Sequence, residues 1–443
     1  MYSILVFQRI ELGRLCFCGT LKPMKNNNTD FDILVVGGGL VGLTTALACG
    51  QAGFSVGVID IAKPSDQLAD SHDGRASAIA TASFRMMRAL GVADALVEGD
   101  DTHAGPIHKI LVSDGQAGEA PSPLNLFFDA AGIADINDGE PLGYMVENRR
   151  MRHALHGQTK QQDNIIWIAP ARVTDIDAAS DKTTITFDDD KTLSASLVVA
   201  ADGRNSFVRK MAKIGVTDWP CNQNAIVTTV EHELPHEGIA HELFLPAGPF
   251  AILPLTGNRA SIVWTETPRA AGAAMALDDD QFAAELARRF GDFLGWVKPV
   301  APRWCYPLSF QHAKTYVGER LVLVGDAAHA IHPIAGQGFN MGLRDAAALA
   351  EILVQARAEG RDLGDALTLA QFEHWRKFDN TVLTHACDVF NKLFSNNVGP
   401  LKHARRIGLS VVDKIPPVRH FFMKEASGQV GDLPPLLRGE RYS

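Results

Sequence analysis

The stretch FDILVVGGGLVG, residues 31–42, decides the fold. Its six mostly apolar residues predict a strand buried on both faces, and the glycine turn after it opens an apolar helix running to about Ala52. Gly53 ends that helix, and SVGVID, residues 55–60, forms a second strand closing at Asp60. The unit is therefore βαβ, with the GxGxxG pattern at Gly37, Gly39 and Gly42. Gly37 permits the tight turn, Gly39 lets a pyrophosphate approach the backbone, and Gly42 lets helix and strand pack closely. The helix N-terminus faces the phosphate charge. Asp60, 18 residues beyond Gly42, stands where a carboxylate accepts hydrogen bonds from ribose hydroxyls. These residues predict a dinucleotide site and leave FAD and NAD undistinguished.

Working outward, IHKILVS (107–113) and LNLFF (124–128) are short strand candidates among Gly/Pro/Asp-rich loops. IIWIA, TTITF and SLVVAAD make a run of strands over 165–200, and AIVTTVE, FAILPL and ASIVWTE another β-rich stretch over 225–265. RLVLVGD (320–326) is again a buried strand, leading by a glycine loop into a helix from about Gly342 to Ala358. The rest of the chain is mostly helical, with Pro416, Pro417, Pro434 and Pro435 as breakers. Nucleotide-binding elements thus recur early, midway and late, with β-rich insertions between them.

The 443 residues allow two or three domains, and 46% hydrophobic content supplies a sizeable core. Six cysteines (Cys16, Cys18, Cys49, Cys221, Cys305, Cys387) show no metal-ligand spacing, which fits a reduced, cytoplasmic protein. No apolar run approaches the roughly 20 residues of a membrane span. Residues 1–23 read as a start-site artefact or disordered tail ahead of Met24 rather than a targeting signal. The net charge of −9 argues against nucleic-acid binding. Between Lys392 and Lys424, however, seven Lys/Arg face one acid, a local +6 that leaves −15 for the rest.

Two further motifs complete a pattern. LVVAADGRNSFVRK carries Asp202, Gly203, Ser206 and Arg209, and LVLVGDAAHAIHPIAGQGFNMGLRDA carries Gly325, Asp326, His329, Pro333, Gly336, Gln337, Gly338 and Asn340. An early GxGxxG, a middle DGxxSxxR and a late GDAAHxxxPxxGQGxN resemble the single-component flavoprotein aromatic hydroxylases of the para-hydroxybenzoate hydroxylase group, from about Phe31 to Ala358. The resemblance implies FAD. Asp326 would accept a hydrogen bond from a ribityl or ribose hydroxyl. The glycines of Gly336–Asn340 would lie along the flavin ring, and the helix after them would point its N-terminus at the pyrimidine edge. Asp202-Gly203 looks like the family motif linked to FAD and to the nicotinamide donor. Arg75 and Asn148 stand where relatives place FAD-contacting side chains. His329 and His332 lack further ligands, and no metal is expected.

RASAIA, GPFAILPL and the terminal FFMKEASGQVGDLPPLLRG resemble the ubiquinone-biosynthesis hydroxylases, the UbiH/UbiF-like branch. The fold class expected is α/β: a Rossmann-like FAD-binding domain (30–106, 140–210, 310–365) interleaved with a β-sheet substrate domain (107–139, 211–309), a helical C-terminal region (366–443) and an extension (1–29). The branch implies a polyprenylated phenol as substrate and hydroxylation of its ring. NAD(P)H or another reductant reduces FAD, O2 adds at flavin C4a, and the hydroperoxide attacks the ring. Such chemistry needs a dry pocket more than a nucleophilic side chain. Phe250, Leu253, Pro254 and Trp264, with Pro333, are the candidates for its wall. No second GxGxxG exists, so the reductant binds transiently or is a protein donor. The basic segment, interleaved with Leu393, Phe394, Leu401, Ile407, Leu409, Val412, Phe421 and Phe422, suggests peripheral contact at the inner face of the membrane or docking with other ubiquinone-biosynthesis proteins. The alternatives are another FAD-dependent hydroxylase or epoxidase, and a non-catalytic lipid-binding module of the same fold.

Overall fold

A computed structural model describes residues 30–69, 74–97, 102–118, 125–133, 139–395 and 416–442. Two large sheets organise them. The first has eight strands and a parallel centre, in the order Leu321–Leu323, Thr192–Ala200, Phe31–Val36, Val56–Ile59 and Ile165–Ile168. These are the continuous apolar runs of the sequence, and they are buried in one core that also takes in residues of the following helix and Val173, Ile185 and Phe187. Helix α1 (Leu40–Gln51) packs on this sheet, and α2 (Asn148–Thr159) packs against α1. The strands Val173–Ala178 and Thr183–Phe187 extend it as an antiparallel meander.

The second sheet has nine strands, with the order His329–Ala330, Trp304–Ala313, Val216–His232, Arg259–Glu266, Gly248–Pro254, Ile239–Leu245, Lys109–Asp114 and Leu126–Asp129; Val297–Pro299 pairs at the side. The strand predicted at 225–231 is longer than expected, running over Val216–His232 with a register shift between Pro220 and Gln223. Trp304–Ala313 crosses the expected boundary near 309, and His329–Ala330 carries the third motif into this sheet. After the short α3 (Phe207–Met211), α4 (Pro268–Met275) and α5 (Asp279–Phe290) cover the far face of the sheet. A three-stranded sheet, Ala76–Ala80, Gly143–Glu147 and Ala104–Ile107, completes the β structure.

Helix α6 spans Gln337–Ala358 and so begins five residues before the expected Gly342. The glycines there read as loop. Gly336 alone takes the left-handed conformation (φ 61°), and helical geometry starts directly after it. The long α7 (Ala366–Phe394) and α8 (Pro416–Ala426) follow. Pro416 and Pro417 open α8 instead of breaking a helix, as proline is tolerated in a first turn.

Candidate active site

Three motif turns come together because their strands are parallel neighbours. The turn at 37–39 follows Phe31–Val36, that at 201–203 follows Thr192–Ala200, and that at 324–326 follows Leu321–Leu323. All leave the carboxyl ends of the strands, the crevice where open α/β sheets take ligands. A cavity of about 1300 Å³ runs along them, lined by Gly39, Arg75, Asn148, Gly203, Asp326, Pro333, Gly336, Gln337, Gly338 and Asn340. Gly37, Gly42, Asp60, Asp202 and Gly325 stand behind this lining.

The first turn is built for close approach. A Cβ on Gly42 would lie 1.8 Å from the Gly37 carbonyl oxygen, whereas one on Gly39 would meet nothing within 4 Å. Gly42 therefore serves packing, and Gly39 keeps the cavity open. Gly39 begins α1 without a capping side chain, so the first backbone donors of the helix face this space. The Asp60 carboxylate accepts from the amides of Gly38 (2.6 Å) and Ala62 (2.8 Å), bracing the glycine turn from below.

In the second turn Asp202 Oδ2 accepts from the amides of Phe207 (2.7 Å) and Val208 (3.1 Å), while its Oδ1 is buried without a partner. Ser206 caps α3 by accepting from the Arg209 amide. The buried Arg209 guanidinium donates to the carbonyls of Ala327 (2.7 Å) and Arg204 (2.9 Å), tying this turn to the third.

Asp326, in the third turn, is exposed to the cavity it lines, with many protein atoms packed around that cavity. Burial raises its carboxyl above the ordinary range, against the pull of His329, Arg75 and Arg204. Beneath it lies a network whose role sequence reasoning missed. Asp345 is fully buried and accepts from the Gly325 amide (3.0 Å), Arg376 Nε (2.9 Å) and Asn380 Nδ2 (3.1 Å), and it hydrogen-bonds His329 Nε2 (2.6 Å). Burial alone would push this carboxyl up; His329 and Arg376 outweigh it and hold it at about 2. His332 stands apart near Phe310, and burial lowers it to about 4.

At the start of α6, Gln337 and Gly338 face the cavity, again with no capping side chain. Asn340 acts as a clamp: its Oδ1 accepts from the Ala80 amide (2.9 Å) and its Nδ2 donates to the Ala78 carbonyl (2.8 Å). The strand so held, Ala76–Ala80, carries Ser77, whose hydroxyl donates to Asn148 Oδ1 (2.6 Å). Just before that strand, the Arg75 guanidinium lies 5.4 Å from the centre of the Tyr306 ring.

Part of the expected wall is on the wrong face. Along Gly248–Pro254, Pro249, Ala251 and Leu253 line the cavity, and strand alternation turns Phe250, Ile252 and Pro254 away. Phe250 is fully buried against Trp264, and Trp264 packs on Phe282 of α5, so neither reaches the cavity. The wall instead includes α7 and α8, through Phe378, Val382, Phe390, Leu393 and Phe422. The apolar residues inside the basic segment were the available signal. Lys402, Arg405, Arg406 and Lys414 of that segment lie outside the described residues, as do Cys16, Cys18 and residues 1–23.

The FAD binding domain family matches residues 30–362. The ubiquinone hydroxylase UbiL of Rhodospirillum rubrum is 47% identical over 92% of this chain and 92% of its own. The 3-demethoxyubiquinol 3-hydroxylase of Escherichia coli is 36% identical over 90% of this chain and 99% of its own. Among solved structures, p-nitrophenol 4-monooxygenase PnpA from Pseudomonas putida shares the fold with a TM-score of 0.74 at 20% identity, over 91% of this chain and 99% of that one.

Proposed function

This chain belongs to the FAD binding domain family, and from that premise we propose that it is a monooxygenase hydroxylating the ring of a polyprenylated phenol intermediate in ubiquinone biosynthesis. One observation carries the reading: a single cavity joins the three flavin-motif turns to an apolar wall from α7, α8 and the second sheet.

The residues present fit FAD. Two helix N-termini without capping side chains, α1 and α6, open onto the cavity, and Gly39 and Gly203 face space that a side chain would fill. In our reading the start of α1 and Gly39 take the pyrophosphate, and Asp326 accepts from a ribityl or ribose hydroxyl. Gln337 and Gly338 present the α6 N-terminus to the flavin pyrimidine edge, with Arg75 and Asn148 beside the ring system. Asp60, Asp202, Gly325 and Asn340 hold these turns in shape. When bound and reduced, FAD supplies the oxygen activation that delivers one atom of O2 to the ring. The chain's own work is to orient the ring and keep water out, which Leu253, Pro333, Val263 and Phe422 do.

Phe378 and Val382 line the cavity and are 70% and 54% exposed, which marks a mouth on α7. A prenyl chain leaving by that mouth would reach an apolar phase, and peripheral membrane contact there follows from the substrate assigned. Among the described residues no helix is long and apolar enough to cross a membrane. The test is complementation of quinone-hydroxylase deletion strains, with the accumulated intermediate identified by mass spectrometry. Failure to restore any ring hydroxylation in such a set removes the assignment.

A further inference from the structure

The cavity wall contributed by the second sheet is almost wholly apolar, with one carboxyl set into it. Along Ile239–Leu245, Ala240, Glu242 and Phe244 line the cavity, while Leu243 and Leu245 enter the core beneath α4 and α5. Across the sheet Glu242 stands level with Val112 on one side and Ala251 on the other, and Ala251 with Val263. Val112, Ala251 and Val263 line the cavity too. The carboxyl therefore interrupts an apolar row, and the small Ala240 and Ala251 beside it leave it reachable from the cavity. On the neighbouring strand Lys109 lies 3.8 Å from Asp129, and the adjacent His241 ring rests on Phe293. Among the described residues, no hydrogen bond or ion pair is formed by the Glu242 side chain, and burial alone accounts for its acidity.

An unpartnered carboxyl in an apolar wall costs stability unless a polar group meets it when the site is filled. We propose that Glu242 receives the ring hydroxyl of the phenolic substrate and thereby fixes which edge of the ring turns towards the flavin turns, an inference that rests on the substrate class assigned above. Burial pushes the carboxyl up to about 8, so near neutral pH it is mostly protonated. A protonated carboxyl both donates and accepts, so it can form two hydrogen bonds with a hydroxyl but only one with an ether. Thr265 is the other polar side chain on this face; it lines the cavity, with its hydroxyl oxygen buried and without a partner.

The experiment uses full-length, FAD-loaded, oxidised protein without reductant, so that binding is read apart from turnover. The probes are 2-geranylphenol and its methyl ether, followed by the change in flavin absorbance. Wild-type protein should prefer the phenol by about tenfold. Glu242→Gln, which keeps a donor and an acceptor, should retain the preference. Glu242→Leu should bind the two probes alike, with FAD content unchanged. Equal binding of the two probes by wild type overturns the proposal without recourse to any variant. A preference that survives in Glu242→Leu also overturns it and leaves the substrate reading standing. Wild-type protein that binds neither probe while holding FAD removes both.

Discussion

Single side chains divide into those that touch the cavity and those that hold the turns, and substitution separates the two. Gly39→Val should leave folding intact and abolish FAD retention, because the added atoms enter the space left for the pyrophosphate. Gly42→Ala should instead lower stability by about 2 kcal/mol, since its Cβ would overlap the Gly37 carbonyl. Thermal melts and released flavin, measured on both variants, distinguish the outcomes. Asp326→Ala should weaken FAD binding by about 10- to 100-fold, the worth of one charge-assisted hydrogen bond, with the melt little changed. An unchanged FAD dissociation constant would take Asp326 out of the site. Glu242 makes a prediction about pH. Its folded pKa of about 8 lies above the ordinary 4.5, so the folded state holds the proton that the unfolded state loses between these values. Stability contributed at this position is therefore lost as pH rises from about 4.5 to about 8, and is flat above. Glu242→Gln removes that slope. Its unfolding free energy should gain on wild type between pH 6 and pH 8, by on the order of 2 kcal/mol at most. A gap that does not change with pH would show that the carboxyl is not held neutral.

At the level of elements, the buried Asp345 network joins four elements: two helices, a turn and an edge strand. Asp345 and Gly325 sit on α6 and on the turn beneath the cavity, Arg376 and Asn380 on α7, and His329 on an edge strand of the second sheet. Arg376→Met leaves a buried carboxylate short of its cationic partner and should cost about 3 kcal/mol. Because Asp345 also holds the Gly325 amide, FAD should dissociate faster from this variant, although Arg376 is not proposed to touch the cofactor. Loss of stability with an unaltered FAD off-rate would confine the network to packing. The clamp by Asn340 works in the same manner on the strand Ala76–Ala80, fixing where Ser77 and Asn148 meet.

The whole molecule places a flavin end and an apolar mouth on one cavity, which makes prenyl recognition separable from ring recognition. Phe378→Ser combined with Val382→Ser should raise the KM for a long-chain prenylated phenol and leave that for a geranylated one nearly unchanged. Equal effects on both substrates would mean that the mouth does not follow the chain. Membrane contact can be read independently. Lys402, Arg405 and Arg406 changed together to Gln should reduce co-sedimentation with anionic liposomes, by about 1 kcal/mol per residue at most, and leave neutral liposomes unaffected. Identical sedimentation with anionic liposomes would leave the basic segment without a docking role.

The range of each interaction decides how much was legible before folding. The three motif turns are local, each set by a strand and the glycine turn directly after it, so FDILVVGGGLVG, the Asp202-Gly203 turn and the Gly325-Asp326 turn announced both the parallel sheet and the cavity that their strand ends frame. The wall was legible only in part. Alternation says that Phe250 and Leu253 face opposite ways, but which face is inward depends on α4 and α5 covering the other side, and Leu253 alone of the two reaches the cavity. The roles of Asp345, Arg376 and Glu242 were not legible, because their surroundings come from strands and helices far apart in the chain. A carboxylate paired with a distant arginine and a carboxyl alone in an apolar row are the same kind of group in the sequence, and only the tertiary structure decides which one is charged.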